Sequence, residues 1–334
     1  MTRALAHRRR TITTPVVADP AEAHAQLGDD LRTLVQEHGV AASTRLAYAT
    51  DWKHFVAWAT AMGFPTLPTD AATVAGYITA LAMGTTDDFG PRAAATIGRR
   101  LITLAKRHTV AGHADPTKDA RVREVWKAAR RKLGTAPRQK APLLRERLDA
   151  VVAELPATPE GLRDAALLRF GWAGALRRSE LVAIRVEDLV FGAKGVRLRF
   201  PRSKTNQEGR LEEIVIPRGD DPATCPVGAL ERWMRAVSLV EGWVFLGQSK
   251  GKHLCSRTLA NLVKRVTGGS AEFSGHSLRA GYATQQALDG VPDRAIMRVT
   301  RHRSREMLDR YVRDGELRRE VGDVPTPPEG EPSR

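Results

Sequence analysis

A stretch rich in glycine and proline divides this chain of 334 residues into two parts, each with the periodicity of helices. The stretch reads G-T-A-P-R-Q-K-A-P from Gly134 to Pro142. It interrupts any helix, because proline lacks the amide hydrogen that a helix needs. Each flanking part is long enough to bury a core of its own. We therefore predict two domains joined by a linker.

The first part has the pattern of a small all-helical domain. Apolar residues recur at intervals of three and four, as they do on one face of an α-helix. We expect Ser43 or Thr44 to cap the first helix and Asp70 the second, since their side chains accept hydrogen bonds from free backbone amides. Pro116 is expected to open the fourth helix, because proline suits the first helical turn. A series of such helices with short connections predicts a compact domain.

The second part is predicted to be mostly helical with a small antiparallel sheet. The runs V-R-L-R-F at 196–200 and E-I-V-I-P at 213–217 alternate or carry β-branched residues, a pattern that favours strands. The polar segment between them predicts a hairpin with Lys204 on or near its turn. The fold class of the whole chain is therefore mainly α. The predicted boundaries are a flexible arm at 1–26, a helical domain at 27–134, a linker at 135–143, a mixed domain at 144–318 and a flexible tail at 319–334.

The positive charge of the chain is concentrated in one segment. The formal net charge is +15, and between Arg92 and Lys140 fourteen lysines and arginines stand against three acidic residues. Such a surface attracts a polyanion, most commonly nucleic acid, and its binding should weaken as salt rises. The residues that we expect to contact DNA are Arg99, Arg100, Lys106, Arg107, Arg130, Arg131, Lys132, Arg138 and Lys140.

Several classes of protein are disfavoured by the sequence. Two cysteines, Cys225 and Cys255, are too few for a disulfide framework or a structural zinc site. No apolar region follows the basic N-terminus, as it would in a secretory signal, and no apolar run approaches the roughly 18 residues of a membrane span. No cluster of metal ligands and no phosphate-binding loop is evident. We expect a soluble cytoplasmic protein, associated with the nucleoid when bound to DNA, that needs no metal or other cofactor.

Six residues of the second part form an ordered set suited to phosphodiester chemistry. In chain order they are Arg177 in G-A-L-R-R-S-E-L, Lys204 in R-S-K-T-N-Q, His276 and Arg279 in H-S-L-R-A-G, His302 in T-R-H-R-S, and Tyr311. Arginine binds charged oxygens, lysine and histidine transfer protons, and a tyrosine hydroxyl can break a phosphodiester reversibly. Each residue taken alone has an ordinary alternative, such as a solvated ion pair or a core aromatic. Together they indicate DNA cleavage and rejoining without a metal.

The order and context of these residues resemble the tyrosine recombinase, or phage-type integrase, family. Its signature is an arginine in an L-R-x-S-E-L context, a hairpin lysine, a His-x-x-Arg box, a second histidine or tryptophan, and the tyrosine. The resemblance is strong over residues 144–313 and implies that the helical part is the family's core-binding domain, with a SAM-like fold. Two of the motifs depart from the pattern. The first box reads G-A-L-R where T-G-L-R is common, and Arg301 stands where glycine usually precedes the second histidine.

The resemblance implies that Tyr311 is the nucleophile. It would attack the scissile phosphorus and give a 3′-phosphotyrosine and a free 5′-hydroxyl. Arg177 and Arg279 would clamp the non-bridging oxygens and stabilise the charged transition state. The other three tyrosines fall in the helical domain or on the helix of His276, where the family has a packing aromatic. Only Tyr311 fits the nucleophile.

The remaining members of the set would move protons or hold other groups in place. Lys204 would protonate the departing 5′ oxygen, and His276 would act as an acid or base near the tyrosine. His302 would donate a hydrogen bond to the phosphate. Glu180, which follows Arg177 by three residues, would hold an arginine or histidine in position.

The function implied is site-specific recombination of double-stranded DNA at paired sites, through a Holliday junction, for integration, excision or resolution of DNA elements. The expected assembly is a homotetramer on DNA, formed from free monomers or dimers, and accessory directionality factors are compatible with it. Three alternatives stay open from the residues alone. They are a type IB topoisomerase-like enzyme, a catalytically inactive or regulatory DNA-binding protein of the same fold, and a metal-dependent transposase.

Overall fold

The computed structural model describes most of the chain in two compact units, Met1–Pro137 and Arg138–Arg334. The described residues are 41–84, 92–135, 140–200, 212–247, 251–302, 304–309 and 311–312. Four predicted features lie outside these ranges: the N-terminal arm, the C-terminal tail, Arg138 and Lys204. Within the described ranges, no helix is both long and apolar enough to cross a lipid bilayer.

Helices packed around aromatic side chains make up the first unit. They are α1 (Ala42–Ala61), α2 (Ala71–Met83), α3 (Ala94–Val110) and α4 (Ala120–Leu133), with a 3-10 turn at Pro116–Lys118. The ring of Tyr77 lies 5.1 Å from that of Phe55 and 5.0 Å from that of Trp58, measured between centroids. All three side chains are almost fully buried. Burial of each such side chain stabilises the unit by about 1.5–3 kcal/mol.

The helix starts of the first unit follow one of the sequence predictions and differ from two. Asp70 caps α2 as predicted, since its carboxylate accepts a hydrogen bond from the third helical amide at 2.7 Å. The prediction for α1 is wrong, because the helix starts before Ser43 with Ala41 at its N-cap and no side-chain cap bond. The prediction for Pro116 is also wrong. It opens only the 3-10 turn, and the carboxylate of Asp119 caps α4.

The second unit combines helices with one antiparallel sheet, which confirms the predicted fold class. Its strands are β1 (Leu189–Gly192), β2 (Gly195–Phe200) and β3 (Glu212–Pro217), preceded by a 3-10 turn at Val186–Asp188. Its helices are α5 (Arg145–Ala153), α6 (Pro159–Ala173), α7 (Arg178–Val182), α8 (Pro226–Ala236), α9 (Ser256–Val266), α10 (Ser277–Leu288) and α11 (Asp293–Thr300). Helical backbone follows at residues 305–309 and 311–312.

The sheet has the strand order β1-β2-β3, and β2 and β3 are the two predicted strands. In β2, Val196, Leu198 and Phe200 are buried while the residues between them are exposed. This alternation is expected of a strand with one face on a core. The sequence pattern misses β1, because Leu189 is the only buried residue of that strand. Its pairing with β2, rather than its own patterning, makes it a strand.

The segment that enters the second unit, here called the strap (residues 140–143), is hydrogen-bonded to the start of α10. The Leu143 amide donates to the Ser277 carbonyl at 3.0 Å, and Trp172 Nε1 donates to the Leu143 carbonyl at 2.8 Å. A Cβ at position 281 would lie only 1.9 Å from that same carbonyl oxygen, so Gly281 is required for the close approach. The strap thereby fixes the start of the helix that carries the His-x-x-Arg box.

Candidate active site

Arg177 is fixed at the start of α7 by Glu180. The Arg177 backbone N–H donates to Glu180 Oε2 at 2.8 Å, and Arg177 Nη1 donates to Glu180 Oε1 at 2.8 Å. A glutamate at the third helical position that reaches back to the N-cap amide is a common way to begin a helix. The Arg177 side chain is 20% exposed, so a ligand can reach it.

Arg279 reaches the turn that precedes Arg177. It projects from α10, is only 2% exposed, and donates from Nη1 to the Ala175 carbonyl at 2.8 Å. Ala175 has a φ of +44°, in the left-handed region that favours glycine. Ala175 stands where the common T-G-L-R box has its glycine. The unusual backbone conformation therefore lies at the point where the segments of the two arginines meet.

Positive charge accumulates around Arg279. Burial lowers the pKa of Arg279 to about 9, and the charges of Arg177 and Arg301 add to this shift. The Glu180 carboxylate and the Tyr311 hydroxyl act in the opposite direction. A pKa of about 9 still leaves Arg279 charged at neutral pH. A site with this excess of cations favours a bound anion.

The hydroxyl of Tyr311 lies in hydrogen-bond contact with His276. The distance between Tyr311 Oη and His276 Nε2 is 2.8 Å. Burial lowers the pKa of His276, and the charges of Arg279 and Arg177 lower it further. The imidazole is therefore neutral near pH 7 and has one nitrogen with a free lone pair. With that lone pair on Nε2, His276 can accept the proton of the tyrosine hydroxyl.

His302 stacks on the ring of Tyr311. The ring centroids are 5.8 Å apart and the planes differ by 14°. Burial lowers the pKa of His302 to about 4, with nearby arginine charges contributing, so the ring is neutral. The Thr300 hydroxyl lies 3.0 Å from His302 Nδ1 and 2.9 Å from the Ile296 carbonyl. The single proton of the Thr300 hydroxyl can be donated either to the Ile296 carbonyl or to His302 Nδ1. Only in the second case does neutral His302 carry its own proton on Nε2, where it can be donated to a phosphate.

Glu180 also binds an arginine that sequence reasoning missed as part of the site. Arg301 Nη2 donates to Glu180 Oε2 at 2.6 Å, and the two side chains are 8% and 5% exposed. Burial raises the pKa of Glu180, but the charge of Arg301 and the hydrogen bond from Arg177 outweigh burial and hold the pKa below its usual range. The sequence signal for Arg301 is its occupation of a position where the family usually has glycine.

The structure places the predicted catalytic residues that it describes in one cluster. The members are Arg177, His276, Arg279, His302 and Tyr311, and Glu180, predicted to hold an arginine or histidine in position, lies with them. Lys204 falls in the segment 201–211, outside the described residues. Across the described part of the chain, no group of histidine, cysteine and acidic side chains is arranged to hold a metal ion.

Exposed cations of the first unit lie over aromatic rings. The distances to the ring centroids are 4.9 Å from Lys106 Nζ to Tyr48, 5.5 Å from Arg107 Cζ to Trp52, and 5.6 Å from Arg130 Cζ to Trp126. Such contacts hold a long side chain at the surface while its charge stays accessible to solvent. These positions suit contact with a polyanion.

The predicted DNA contacts Arg99 and Arg100 differ in exposure. The Arg99 side chain is 46% exposed and donates two hydrogen bonds to the Asp51 carboxylate, at 2.8 and 2.9 Å. Arg100 is 7% exposed, lies 3.6 Å from the same carboxylate and has its guanidinium 6.0 Å from the Tyr77 ring centroid. Its guanidinium is held inside the first unit, against Asp51 and the buried ring of Tyr77, and is not presented at the surface. The prediction of a direct DNA contact is therefore corrected for Arg100.

The other predicted DNA contacts are polar surface positions. Arg131 is exposed. Lys132 Nζ lies 3.1 Å from the Met83 sulfur. Lys140, in the second unit, donates from Nζ to the Ala271 carbonyl at 2.6 Å.

Comparison with known proteins identifies relatives along most of the chain. A family model described as the phage integrase family matches residues 142–317, more than half of the chain. An integrase/recombinase xerD homolog from Selenomonas ruminantium is 38% identical over 295 residues, which cover 84% of each protein. The tyrosine recombinase XerC of Syntrophus aciditrophicus is 29% identical over 165 residues, 46% of this chain and 49% of that protein.

Solved structures share the fold at low sequence identity. The XerH site-specific recombinase bound to palindromic difH substrate has a TM-score of 0.61 at 15% identity, over 91% of this chain and 88% of that one. The Tn1549 transposon integrase in complex with circular intermediate DNA has a TM-score of 0.53 at 14% identity, over 86% and 97%. The resemblance seen in the motifs is thus confirmed, and the chain belongs to the phage integrase family of tyrosine recombinases.

Proposed function

We propose that this tyrosine recombinase cleaves and rejoins double-stranded DNA at specific paired sites through a 3′-phosphotyrosine intermediate. The observation that carries the proposal is the 2.8 Å contact between Tyr311 Oη and His276 Nε2, in a cluster that also contains Arg177 and Arg279. A hydroxyl with a neutral proton acceptor beside it and fixed cations around it is suited to attack a phosphodiester. The recombinase and integrase names of the relatives agree with this chemistry.

In the cleavage step, the Tyr311 oxygen forms a bond to the scissile phosphorus while the bond from phosphorus to the 5′ oxygen breaks. The hydroxyl proton passes to His276 Nε2, and Lys204 supplies a proton to the departing oxygen. An unperturbed tyrosine has a pKa of about 10, so a proton acceptor within hydrogen-bond reach matters near neutral pH. The products are a tyrosyl phosphodiester at the 3′ end and a free 5′-hydroxyl.

Arg177 and Arg279 are assigned to the two non-bridging oxygens. These oxygens carry more negative charge in the transition state than in the substrate, so fixed cations stabilise the transition state selectively. A donor of this kind contributes roughly 3–4 kcal/mol. His302 adds a hydrogen bond from Nε2 when Thr300 donates to Nδ1.

Rejoining is the reverse reaction with a new 5′ end. A 5′-hydroxyl attacks the tyrosyl phosphodiester, and no nucleotide cofactor is needed because that bond conserves the energy of the original one. Exchange of 5′ ends between two duplexes gives a Holliday junction, and a homotetramer on two paired sites supplies one tyrosine per strand. Integration, excision and resolution of DNA elements all use these steps. We place the reaction on DNA in the cytoplasm, with accessory factors setting direction where needed.

The first unit is assigned to holding the duplex. Its exposed cations over aromatic rings, Lys106, Arg107 and Arg130, present charge at the surface. Contacts of this kind with phosphates release counterions, so binding should weaken steeply as salt rises. Position and affinity would come from this surface, and chemistry from the cluster around Tyr311.

The proposal is tested by trapping the covalent intermediate. Wild type and Tyr311→Phe are incubated, with EDTA present, with sheared DNA from the source organism and its mobile elements. Covalent adducts are recovered after detergent denaturation, and the attached DNA ends are sequenced. We expect adducts from wild type alone, at one recurrent sequence and with the protein on the 3′ end.

Other outcomes favour other activities. Adducts scattered over many sequences would favour a topoisomerase-like enzyme. Tight DNA binding without any wild-type adduct would contradict the proposal and favour a regulatory DNA-binding protein. Adducts that depend on added magnesium and persist in Tyr311→Phe would favour metal-dependent chemistry.

A further inference from the structure

We propose that Arg301 is a positioning residue for DNA cleavage, which holds Glu180 and through it keeps Arg177 against the scissile phosphate. The inference rests on the proposed function and adds to it a residue outside the family's signature set. Arg301 acts through another side chain rather than on the phosphate, because its guanidinium is bonded to Glu180 and lies over the ring of Phe200.

The Glu180 carboxylate links the two arginines. Its Oε2 accepts hydrogen bonds from Arg301 Nη2 at 2.6 Å and from the Arg177 amide at 2.8 Å. Its Oε1 accepts from Arg177 Nη1 at 2.8 Å. Arg301 therefore fixes the carboxylate that in turn fixes both the backbone and the guanidinium of Arg177. Loss of Arg301 would remove one of these three hydrogen bonds, leave Oε2 to the Arg177 amide, and hold the carboxylate less firmly.

The charge balance points the same way. With Arg301 in place, the single negative charge of Glu180 is shared between two guanidinium groups. Arg177 then retains more of its field for a phosphate than it would as the only partner of a buried carboxylate. Without an arginine at position 301, Glu180 would keep only Arg177 of its two ion-pair partners among the described residues.

Arg301 occupies its position despite two features that are unfavourable for stability. Its backbone has φ +55° and ψ 42°, a left-handed conformation that favours glycine. Its Nε and Nη1 are buried with no hydrogen-bond partner among the described residues. Strain and unpaired buried donors are unfavourable for stability and are characteristic of functional sites. The contacts of Arg301 thus serve more than the packing of the fold.

A second contact connects Arg301 to the hairpin. Its guanidinium carbon lies 4.0 Å from the ring centroid of Phe200, a close cation–π contact. Phe200 ends β2, His302 follows Arg301 directly, and Glu180 belongs to α7. One side chain therefore joins three segments that carry residues of the proposed site. This placement suits a residue that keeps the site assembled before DNA arrives.

The test compares cleavage by Arg301→Met with that of a matched control. Methionine keeps the length of the side chain and removes its charge and hydrogen bonds. Arg305→Met is the control, because Arg305 is 76% exposed and pairs with Asp293 at the surface. The probe is the synthetic duplex whose sequence is recovered by adduct mapping. The measurements are the rate of covalent adduct formation at saturating protein and the dissociation constant.

We expect Arg301→Met to form adducts about 10 to 100 times more slowly, with a dissociation constant within twofold of wild type. The adduct-formation rate of Arg301→Lys should lie between those of Arg301→Met and wild type, because an ammonium keeps the charge but lacks the planar, two-pronged donor geometry of a guanidinium. Arg305→Met should match wild type. Arg301→Gly relieves the backbone strain and, where it folds, should be as slow as Arg301→Met.

A modified substrate separates positioning from a general loss of structure. A duplex with a methylphosphonate at the scissile position lacks one charged non-bridging oxygen, so less charge falls to Arg177. On this substrate the defect of Arg301→Met should shrink to a few-fold. A defect of equal size on both substrates would overturn the positioning role.

The remaining outcomes distinguish this inference from the proposed function. Wild-type adducts together with an Arg301→Met rate within twofold of wild type would overturn the inference and leave the proposed function standing. Failure of wild type itself to form adducts would overturn the proposed function and this inference with it.

Discussion

Each unit of this protein contains a tyrosine–histidine hydrogen bond near a carboxylate shared by two arginines, and the two clusters differ in what can reach them. In the first unit, Tyr77 Oη lies 2.8 Å from His54 Nδ1, and Asp51 binds both Arg99 and Arg100. Tyr77 is 1% exposed, and burial raises its pKa well above the usual range. This hydroxyl is sealed in a core.

The cluster in the second unit has the same groups in a more open setting. Tyr311 Oη lies 2.8 Å from His276 Nε2, and Glu180 binds both Arg177 and Arg301. Tyr311 is partly exposed. The difference teaches that the set of side chains does not define the active site. The active site is defined by access for a phosphate and by an excess of cations over carboxylates.

The sharpest test of this contrast removes one hydroxyl from each cluster. Tyr311→Phe should lower covalent adduct formation by at least about 1000-fold and leave DNA affinity unchanged, because the lost oxygen is the nucleophile. Tyr77→Phe should leave cleavage unchanged and lower the free energy of unfolding by about 1 kcal/mol. Denaturing gels and chemical denaturation measure the two effects. Equal loss of cleavage and affinity in Tyr311→Phe would contradict the nucleophile assignment.

The next largest effect concerns the more exposed arginine in each cluster, Arg177 beside Glu180 and Arg99 beside Asp51. Arg177→Ala should slow cleavage by about 100- to 1000-fold with only a small change in affinity, since its contribution is concentrated in the transition state. Arg99→Ala should weaken DNA binding a few-fold and leave the rate at saturating protein unchanged. Single-turnover cleavage and a binding titration check both. Slower cleavage by Arg99→Ala at saturating protein would contradict the distinction between the two clusters.

A pH profile sharpens the comparison of the two histidines. His276 must be neutral to accept a proton, and its pKa lies below the ordinary 6.5. The cleavage rate should therefore be level around neutrality and fall about tenfold per unit only below pH 6.5. His54→Gln should leave this profile unmoved, although burial and the charges of Arg100 and Arg92 also lower the pKa of His54, to about 4. An acid limb with its midpoint above 6.5 would argue against His276 as the base.

The smallest effect tests which cations of the first unit meet phosphate. Lys106→Ala should weaken DNA binding a few-fold and reduce the slope of log affinity against log salt by about 0.9. Arg100→Met should leave the slope as in wild type, because Arg100 is buried. Titrations at several salt concentrations give both slopes. A reduced slope for Arg100→Met would restore Arg100 to the DNA surface.

The sequence foretells those features that depend on local patterning. The alternation in β2 predicts its strand, and the carboxylate of Asp70 predicts the start of α2. Charge counts do not reveal which face of a helix a residue occupies, so the sequence prediction places Arg100 at the DNA surface together with Arg99. Its spacing from Ile97 and Leu104, three and four residues away, places it on the buried stripe of α3 and is the signal that identifies it.

The features that the sequence does not foretell depend on tertiary contacts. Within the described ranges, Ala175 and Arg301 are two of the three non-glycine residues with positive φ. Both stand where the family pattern has glycine. A departure shows that the local backbone is unusual, but it does not reveal that Arg301 meets Glu180, 121 residues away in sequence. That pairing follows only from how α7 and α11 are brought together.

The strap at the entrance to the second unit has a mechanical consequence. Lys140 Nζ, the Ala141 amide and the Leu143 amide bond in turn to the carbonyls of Ala271, Glu272 and Ser277. The strap is thus hydrogen-bonded along the segment that carries His276. A pull on the strap would load the backbone beside His276 first, before the buried core. A catalytic fragment cut after Leu143 would lose this fastening, so a working fragment should begin upstream of Lys140.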